Sequence, residues 1–146
     1  MQKIYEGKAK ILYAADNPNH IVQYFKDDAT AFNNQKKAII AHKGMLNNFI
    51  SEFIMQVLNK NAINTHFIKR LDERRQLVKK LQIIPIEVIV RNYAAGSLCK
   101  RLGFKEGVKL KYSLVEFCLK DDALGDPVMT EDHIILLAIA TKEEIA

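Results

Sequence analysis

The sequence predicts an α+β fold, with an antiparallel sheet of roughly five or six strands backed by one long amphipathic helix and followed by the start of a second α+β lobe. Three observations carry this prediction. Short alternating apolar segments are separated by turn residues such as Glu6-Gly7, Asn17-Pro18-Asn19 and Asp72-Glu73, the pattern of antiparallel strands. One stretch, Gly44–Lys60, carries apolar residues at helical spacing. No alternation of strand and helix patterns and no internal repeat argues for a parallel sheet or a solenoid. The 146 residues suffice for one average domain or two small lobes. The expected division places an N-terminal lobe at 1–85 and the second lobe at 86–146.

In chain order, Lys3–Tyr13 reads as a pair of short strands broken at Glu6-Gly7. After the glycine, Lys8 and Lys10 share one face, with Ala9, Ile11 and Tyr13 on the other. Two ammonium groups beside a glycine turn suit a polyphosphate, and equally suit a solvated edge strand protected by lysines. The run is not a Walker loop, which needs GxxxxGK[ST] and a following helix. Ile21–Phe25 is the next strand, and Lys26–Asn34 reads as a loop of small and turn-forming residues. In Gly44–Lys60, Leu46, Phe49, Ile50, Phe53, Ile54, Val57 and Leu58 form the stripe expected to pack on the sheet, with Asn47, Asn48, Ser51, Glu52 and Gln56 facing away. His66–Leu71 and Arg74–Leu81 follow as antiparallel strands.

The next stretch, Ile83–Ser97, is the most informative. At period 2 one face carries Ile84, Ile86, Val88 and Val90, while the other carries Glu87, Ile89, Arg91 and Tyr93. A carboxylate and a guanidinium on one side of a strand expected to be mostly buried are costly unless paired or used. The strand runs into Ala94-Ala95-Gly96, and Ser97 and Gly103 read as the caps of a two-turn helix. Arg91 next to that helix start makes a candidate anion site. Further on, Val108–Leu110 and Ser113–Leu119 read as strands. Lys120–Pro127 is an acidic loop whose Asp, Gly and Pro are turn formers, and Thr130-Glu131-Asp132 caps a helix through Ile139. Thr141-Lys142-Glu143-Glu144 has the form of a capping box, yet the sequence stops two residues later, so a longer chain is expected.

The 22 basic and 17 acidic residues give a net charge of +5, which suits nucleotides and would also suit nucleic acid. No arginine-rich run, aromatic-plus-basic strand or zinc-finger spacing favours the latter. Cys99 and Cys118 form neither a disulfide framework nor a CxxC metal site, and read as reduced thiols. No apolar run is long enough for a signal core or a membrane span, so a cytoplasmic protein is expected. His20, His42, His66 and His133 have no partner at ligand spacing and read as surface or satisfied core histidines.

Ile83-Ile84-Pro85-Ile86-Glu87-x-Ile89-Val90-Arg91-x-x-x-Ala95-Gly96-Ser97 resembles the signature of the SAICAR synthetases, the phosphoribosylaminoimidazole-succinocarboxamide synthases of purine biosynthesis, and matches it at every constrained position. Tyr5-Glu6-Gly7-Lys8-Ala9-Lys10 resembles that family's ATP-binding glycine loop. Lys120-Asp121-Asp122-Ala123-x-x-Asp126-Pro127 resembles its Lys-(Asn/Asp)-Asp-Ala-x-x-Asp-Pro motif. Lys26–Asn34 resembles its loop bordering the imidazole nucleotide, departing where many members have glycine at Asn34 and some have aspartate at Asn33. The resemblance covers essentially the whole chain but only the N-terminal part of the family's length. The family continues with further helices, an Asp-x-Lys-x-Glu-Phe-Gly strand and acidic metal-binding residues.

The resemblance implies a kinase-like fold with ATP in a cleft between the lobes. It also implies a carbon–nitrogen ligase that joins L-aspartate to the carboxylate of carboxyaminoimidazole ribonucleotide (CAIR) through an acyl phosphate. Gly7, Lys8, Ala9 and Lys10 would hold the ATP phosphates, Lys80 and Lys120 would line the nucleotide site, and Glu87 would sit at the hinge. Arg91, Gly96 and Ser97 would hold CAIR, with Asn33 and Asp126 at its border, and Lys10, Lys120 and Asp122 would be the catalytic groups. ATP and Mg²⁺ are the implied cofactors, with no metal ligand inside this chain. The implied partners are CAIR, L-aspartate and ATP, with no nucleic acid or membrane, in a homo-oligomer. The alternative is a nucleotide-binding module or kinase-like phosphotransferase, or an inactive fragment of the ligase. The Glu-x-x-x-Arg-x-x-x-x-Gly-Ser pattern argues against a different phosphotransferase.

Overall fold

The computed structural model describes residues 1–31 and 36–145, which form two compact units, Met1–Gln82 and Ile83–Ala146. In the first unit, strands β1 (Lys3–Glu6), β2 (Lys10–Ala14), β3 (His20–Phe25), β6 (Phe67–Arg70) and β7 (Arg75–Lys79) form one antiparallel sheet in the order β1-β2-β3-β7-β6. β3 sits in the middle and buries Val22, Gln23 and Phe25, while its neighbour β7 buries Gln76 and Val78. Part of the segment expected to be a loop is a strand instead. β4 (Asp28–Ala31) pairs with β5 (Lys36–Ile39) in a separate two-stranded ladder, against the weak strand preference of its aspartate, alanines and lysines. Asn33 and Asn34 lie outside the described residues.

The long helix α1 (Lys43–Lys60) forms where the periodicity predicts it but is turned the other way. Gly44 and Asn48 are its buried residues, with Ser51, Met55 and Leu58 half-buried one and two turns on. The stripe expected to be core is exposed, including Leu46, Ile50, Ile54, Val57 and Phe53, the last at 68%. The cause lies at the helix start. Asp27 accepts hydrogen bonds at Oδ1 from the Gly44 amide (2.8 Å) and Arg74 Nη1 (2.8 Å), and at Oδ2 from Arg74 Nη2 (2.8 Å). This clamp brings Gly44 so close to β3 that a Cβ there would lie 2.3 Å from the Phe25 carbonyl oxygen. The rotation it sets turns Asn48 inward, where its Nδ2 donates to the Asp72 carbonyl (2.9 Å) and Gln76 Nε2 donates to the Asn48 backbone carbonyl (2.8 Å). These bonds satisfy the two buried amide nitrogens, while Asn48 Oδ1 has no partner among the described residues.

The second unit contains an antiparallel sheet of β10 (Val128–Met129), β9 (Lys109–Leu119) and β8 (Ile86–Tyr93), in that order. The two strands expected in 108–119 are one continuous strand. β8 pairs only with β9 among the described residues, so it lies at an edge and is not the mostly buried strand expected. Val88 and Val90 on its aliphatic face are 59% and 60% exposed. Among the described residues that face is covered only near Ile86, which packs with Phe117, Leu119, Ile139 and Ile145 on a core of Met129, Ile134 and Ala140. Helix α2 (Ser97–Leu102) buries Leu98. Helix α3 (Glu131–Leu136) starts at the Thr130 cap and ends before Ile139, because Ala138 turns left-handed (φ 52°) and the Ile139 amide folds back to the Ile134 carbonyl. α4 (Lys142–Ile145) has the predicted capping box, Thr141 and Glu144 exchanging side-chain-to-backbone bonds.

Candidate active site

The second unit brings Arg91 and Glu116 of its sheet together with Arg101 of α2. Residues paired across an antiparallel ladder share a face, and Arg91 lies opposite Leu114 while Ile89 lies opposite Glu116. Arg91 and Glu116 are therefore diagonal neighbours, and Arg91 Nε donates to Glu116 Oε2 at 2.7 Å. Arg91 Nη1 donates to the Ala95 carbonyl (3.3 Å) and Nη2 to Ser97 Oγ (3.1 Å). Arg101, from the last turn of α2, donates to the other oxygen of Glu116. The three side chains are 16% (Arg91), 11% (Glu116) and 33% (Arg101) exposed. Burial alone would raise the Glu116 pKa, but the hydrogen bonds from Arg91 and Arg101 outweigh it and hold the carboxyl below its usual value.

Local geometry explains this arrangement. Gly96 adopts φ 57°, a conformation that favours glycine, and so lets the chain turn from β8 into α2 within a few residues. Ser97 does not cap the helix as expected. It is the first helical residue, and its hydroxyl faces Arg91. Gly103 closes the helix in the left-handed conformation expected of it (φ 71°). Glu87 lies across from the buried Cys118, whose thiol is pushed up by burial and then by the Glu87 and Glu116 charges.

The lysine turn lies in the first unit. The Gly7 amide donates to the Lys10 carbonyl (2.9 Å), and the Lys26 amide donates to the Ala9 carbonyl (2.9 Å). These bonds shape the Gly7-Lys8-Ala9 connection between β1 and β2. Lys8 is exposed and has no ion pair among the described residues. Lys10 is exposed as a whole residue, but its ammonium sits 5.2 Å from the centre of the Phe25 ring, and desolvation there lowers its pKa. Lys26 is spent on Glu6 (2.9 Å) and Asp28. Lys80 follows β7 with its amide on the Asn19 carbonyl (2.8 Å) and its side chain exposed.

In the acidic loop, Asp121 Oδ1 accepts from the Ala123 and Leu124 amides (2.9 and 3.2 Å), and Asp126 Oδ1 accepts from the Asp121 amide (2.9 Å). Asp121 and Asp126 thus build the loop. Asp122 is exposed, with no side-chain partner among the described residues, and Lys120 is exposed with its amide bonded to the Pro85 carbonyl (2.9 Å). Among the described residues no group of three His, Cys, Asp or Glu side chains converges to hold a metal ion. Sequence reasoning missed Glu116 and Arg101. The available signal was a lone carboxylate inside the apolar run Ser113–Leu119, but its partner follows only from the strand register.

One α+β unit carries a lysine-bearing glycine turn and the other a carboxylate-strapped arginine, groups of a kind that suits anions. The sequence model of the SAICAR synthetase family matches residues 3–146. A phosphoribosylaminoimidazole-succinocarboxamide synthase from Roseobacter denitrificans is 58% identical over 144 residues, which is 99% of this chain and 57% of that protein. The crystal structure of such a synthase from Ehrlichia chaffeensis superposes with a TM-score of 0.94 at 51% identity, over 99% of this chain and 61% of that one. A SAICAR synthetase in complex with ADP gives 0.90 at 43% identity, over 97% and 60%. The chain belongs to the SAICAR synthetase family. It spans somewhat more than half the length of the relatives it matches.

Proposed function

We propose that this chain carries nucleotide- and substrate-binding groups of a cytoplasmic, homo-oligomeric ligase that joins L-aspartate to CAIR at the expense of ATP. The observation that carries the reading is the arginine of the family signature. Arg91 has five N–H donors, and the three hydrogen bonds to Glu116, Ala95 and Ser97 leave one free on each Nη for an anion. The names of the relatives and the ADP bound to one of them support it further. No helix among the described residues is long and apolar enough to cross a membrane.

A carboxylate resists attack by an amine because its leaving group would be oxide. In the proposed reaction a carboxylate oxygen of CAIR attacks the γ-phosphorus of ATP, and ADP leaves. The amino group of aspartate then attacks the carbonyl carbon of the resulting acyl phosphate, and phosphate departs with the C–O bond electrons while the nitrogen loses a proton. This chemistry needs positioning and charge neutralisation more than a protein nucleophile. Arg91 and Ser97, reached through Gly96, fix the CAIR anion, with Asp126 shaping the loop at its border. Lys8 and Lys10 in the Gly7-Lys8-Ala9-Lys10 turn neutralise the ATP phosphates. In this reading Lys80 of the first unit, and Lys120 and Glu87 of the second, are assigned to the nucleotide, and Asp122 is assigned to the reaction. Mg²⁺ accompanies ATP in this reading, but the described residues supply no ligand cluster for it, so no step is assigned to a metal.

The test is ADP release by the purified protein with CAIR and aspartate together and with each omitted. Release that requires both is the expected result. Release indifferent to aspartate overturns the reading.

A further inference from the structure

Glu116 poses a question that the proposed function leaves open. A carboxylate beside a site for anionic substrate opposes binding by its charge, yet this one is 11% exposed and holds two arginines at once. Its backbone lies within the long strand β9, so its position is fixed by the ladder. Arg91 comes from β8 and Arg101 from α2, and the carboxylate is the group that both side chains touch. The charge sum of the three groups is +2 − 1 = +1, and only part of each guanidinium is used. Arg101 keeps its Nε and Nη1 donors and one on Nη2, and its greater exposure leaves it open toward solvent.

The geometry points to Glu116 as a positioning residue that sets Arg91 and Arg101 as a paired guanidinium clamp for an anionic group of the ribonucleotide substrate. This rests on the proposed reading of the site and deepens it, adding Arg101 as a second binding group. Arg91 is tied at Nε and Arg101 at Nη2, so each guanidinium is restrained by the same carboxylate and its free donors meet an anion with less of the entropy cost of ordering a long side chain. Glu116 repays its own repulsion of the anion by holding two cations in place, which a neutral side chain cannot do with comparable strength.

The experiment measures CAIR and ATP affinity calorimetrically for the wild-type protein and for Glu116→Gln, Glu116→Asp and Arg101→Gln. It also follows the side-chain Nε–H resonance of Arg91 by NMR. Glu116→Gln is expected to weaken CAIR binding by about tenfold, the scale of a lost hydrogen bond to a charged group, while ATP affinity stays within about twofold. The Arg91 Nε–H should lose its protection from solvent exchange, a change that general loosening of the fold would not confine to one resonance. Arg101→Gln should weaken CAIR several-fold with the Arg91 resonance intact. If Glu116→Gln does not fold, Glu116→Asp and Arg101→Gln carry the same comparison.

Wild-type binding of CAIR with unchanged affinity in these variants overturns the clamp alone. Weakening by Glu116→Gln but not by Arg101→Gln also overturns it, because one guanidinium then suffices. A wild-type protein that does not bind CAIR overturns the reading of the site, and the clamp with it.

Discussion

Each unit contains an arginine held by a carboxylate, and the two arrangements differ in what they leave over. In the first unit, Asp27 meets Arg74 fork to fork and accepts a third bond from the Gly44 amide. Both carboxylate oxygens and both Nη groups are engaged, and the net charge of the pair is zero. In the second unit, Glu116 is shared between Arg91 and Arg101, so positive charge remains. A charge-balanced pair fixes backbone elements, whereas a single carboxylate between two guanidinium groups holds cations in place with a net charge left over. A carboxylate and a guanidinium thus make a structural clamp in one unit and the proposed anion site in the other by stoichiometry.

The sharpest way to break the first half of this comparison is Gly44→Ala. A Cβ would lie 2.3 Å from the Phe25 carbonyl oxygen and 2.8 Å from Arg74 Nη1, and the backbone of β3 cannot swing aside as a side-chain tip can. Loss of about 3 kcal/mol or more is expected in urea denaturation, from overpacking together with loss of the clamp. A change below about 1 kcal/mol would show that α1 is not held against β3 in this way.

The clamp should also show itself in pH. The hydrogen bonds from Arg74, then that from the Gly44 amide, hold Asp27 far below the usual carboxylate range. Its folded pKa is depressed, so its contribution is fully present above the unfolded value of about 4 and drains away as pH falls below it. Stability of the wild type should therefore decline as pH drops from about 4 toward 2, and Asp27→Asn should flatten that part of the profile while lowering the plateau at neutral pH. Parallel profiles for the two proteins would mean that Asp27 is not the group responsible.

These two regions also show which parts of the molecule were legible in the sequence. The strands and turns of the first sheet were, since alternation and turn chemistry act within a few residues. The existence of α1 was legible for the same reason. Its rotation was not, because Asp27 and Arg74 fix Gly44 from 17 and 30 residues away, and periodicity reports only that two faces differ. The exposed stripe from Leu46 to Val57 is what a purely amphipathic reading mistakes for core. In the second unit, the closeness of Arg91 and Ser97 was legible because six residues and a glycine turn join them. Glu116 was not, since its diagonal relation to Arg91 exists only once the β8–β9 register is known.

For the binding half of the comparison, the larger expected effect is that of Arg91→Ala. On the proposed reading the guanidinium makes a charge-assisted contact with CAIR, so KM for CAIR should rise roughly a hundredfold in its absence while KM for ATP moves little. Equal effects on both constants would place the anion site elsewhere.

Ser97→Ala gives the smallest effect and tests the finest point. The Ser97 hydroxyl accepts from Arg91 Nη2 at 3.1 Å and has no capping bond, so its removal should leave α2 intact. The guanidinium would still be held by Glu116 at Nε and by the Ala95 carbonyl at Nη1. If orientation is set mainly by the carboxylate, the loss of one bond to a neutral acceptor should weaken CAIR by about fivefold or less. The same substitution made in Glu116→Gln should cost more, because the hydroxyl then becomes one of only two remaining restraints. Equal cost in both backgrounds would mean that Ser97 acts directly on the substrate and not through Arg91, and a double-mutant cycle read by calorimetry separates the two cases.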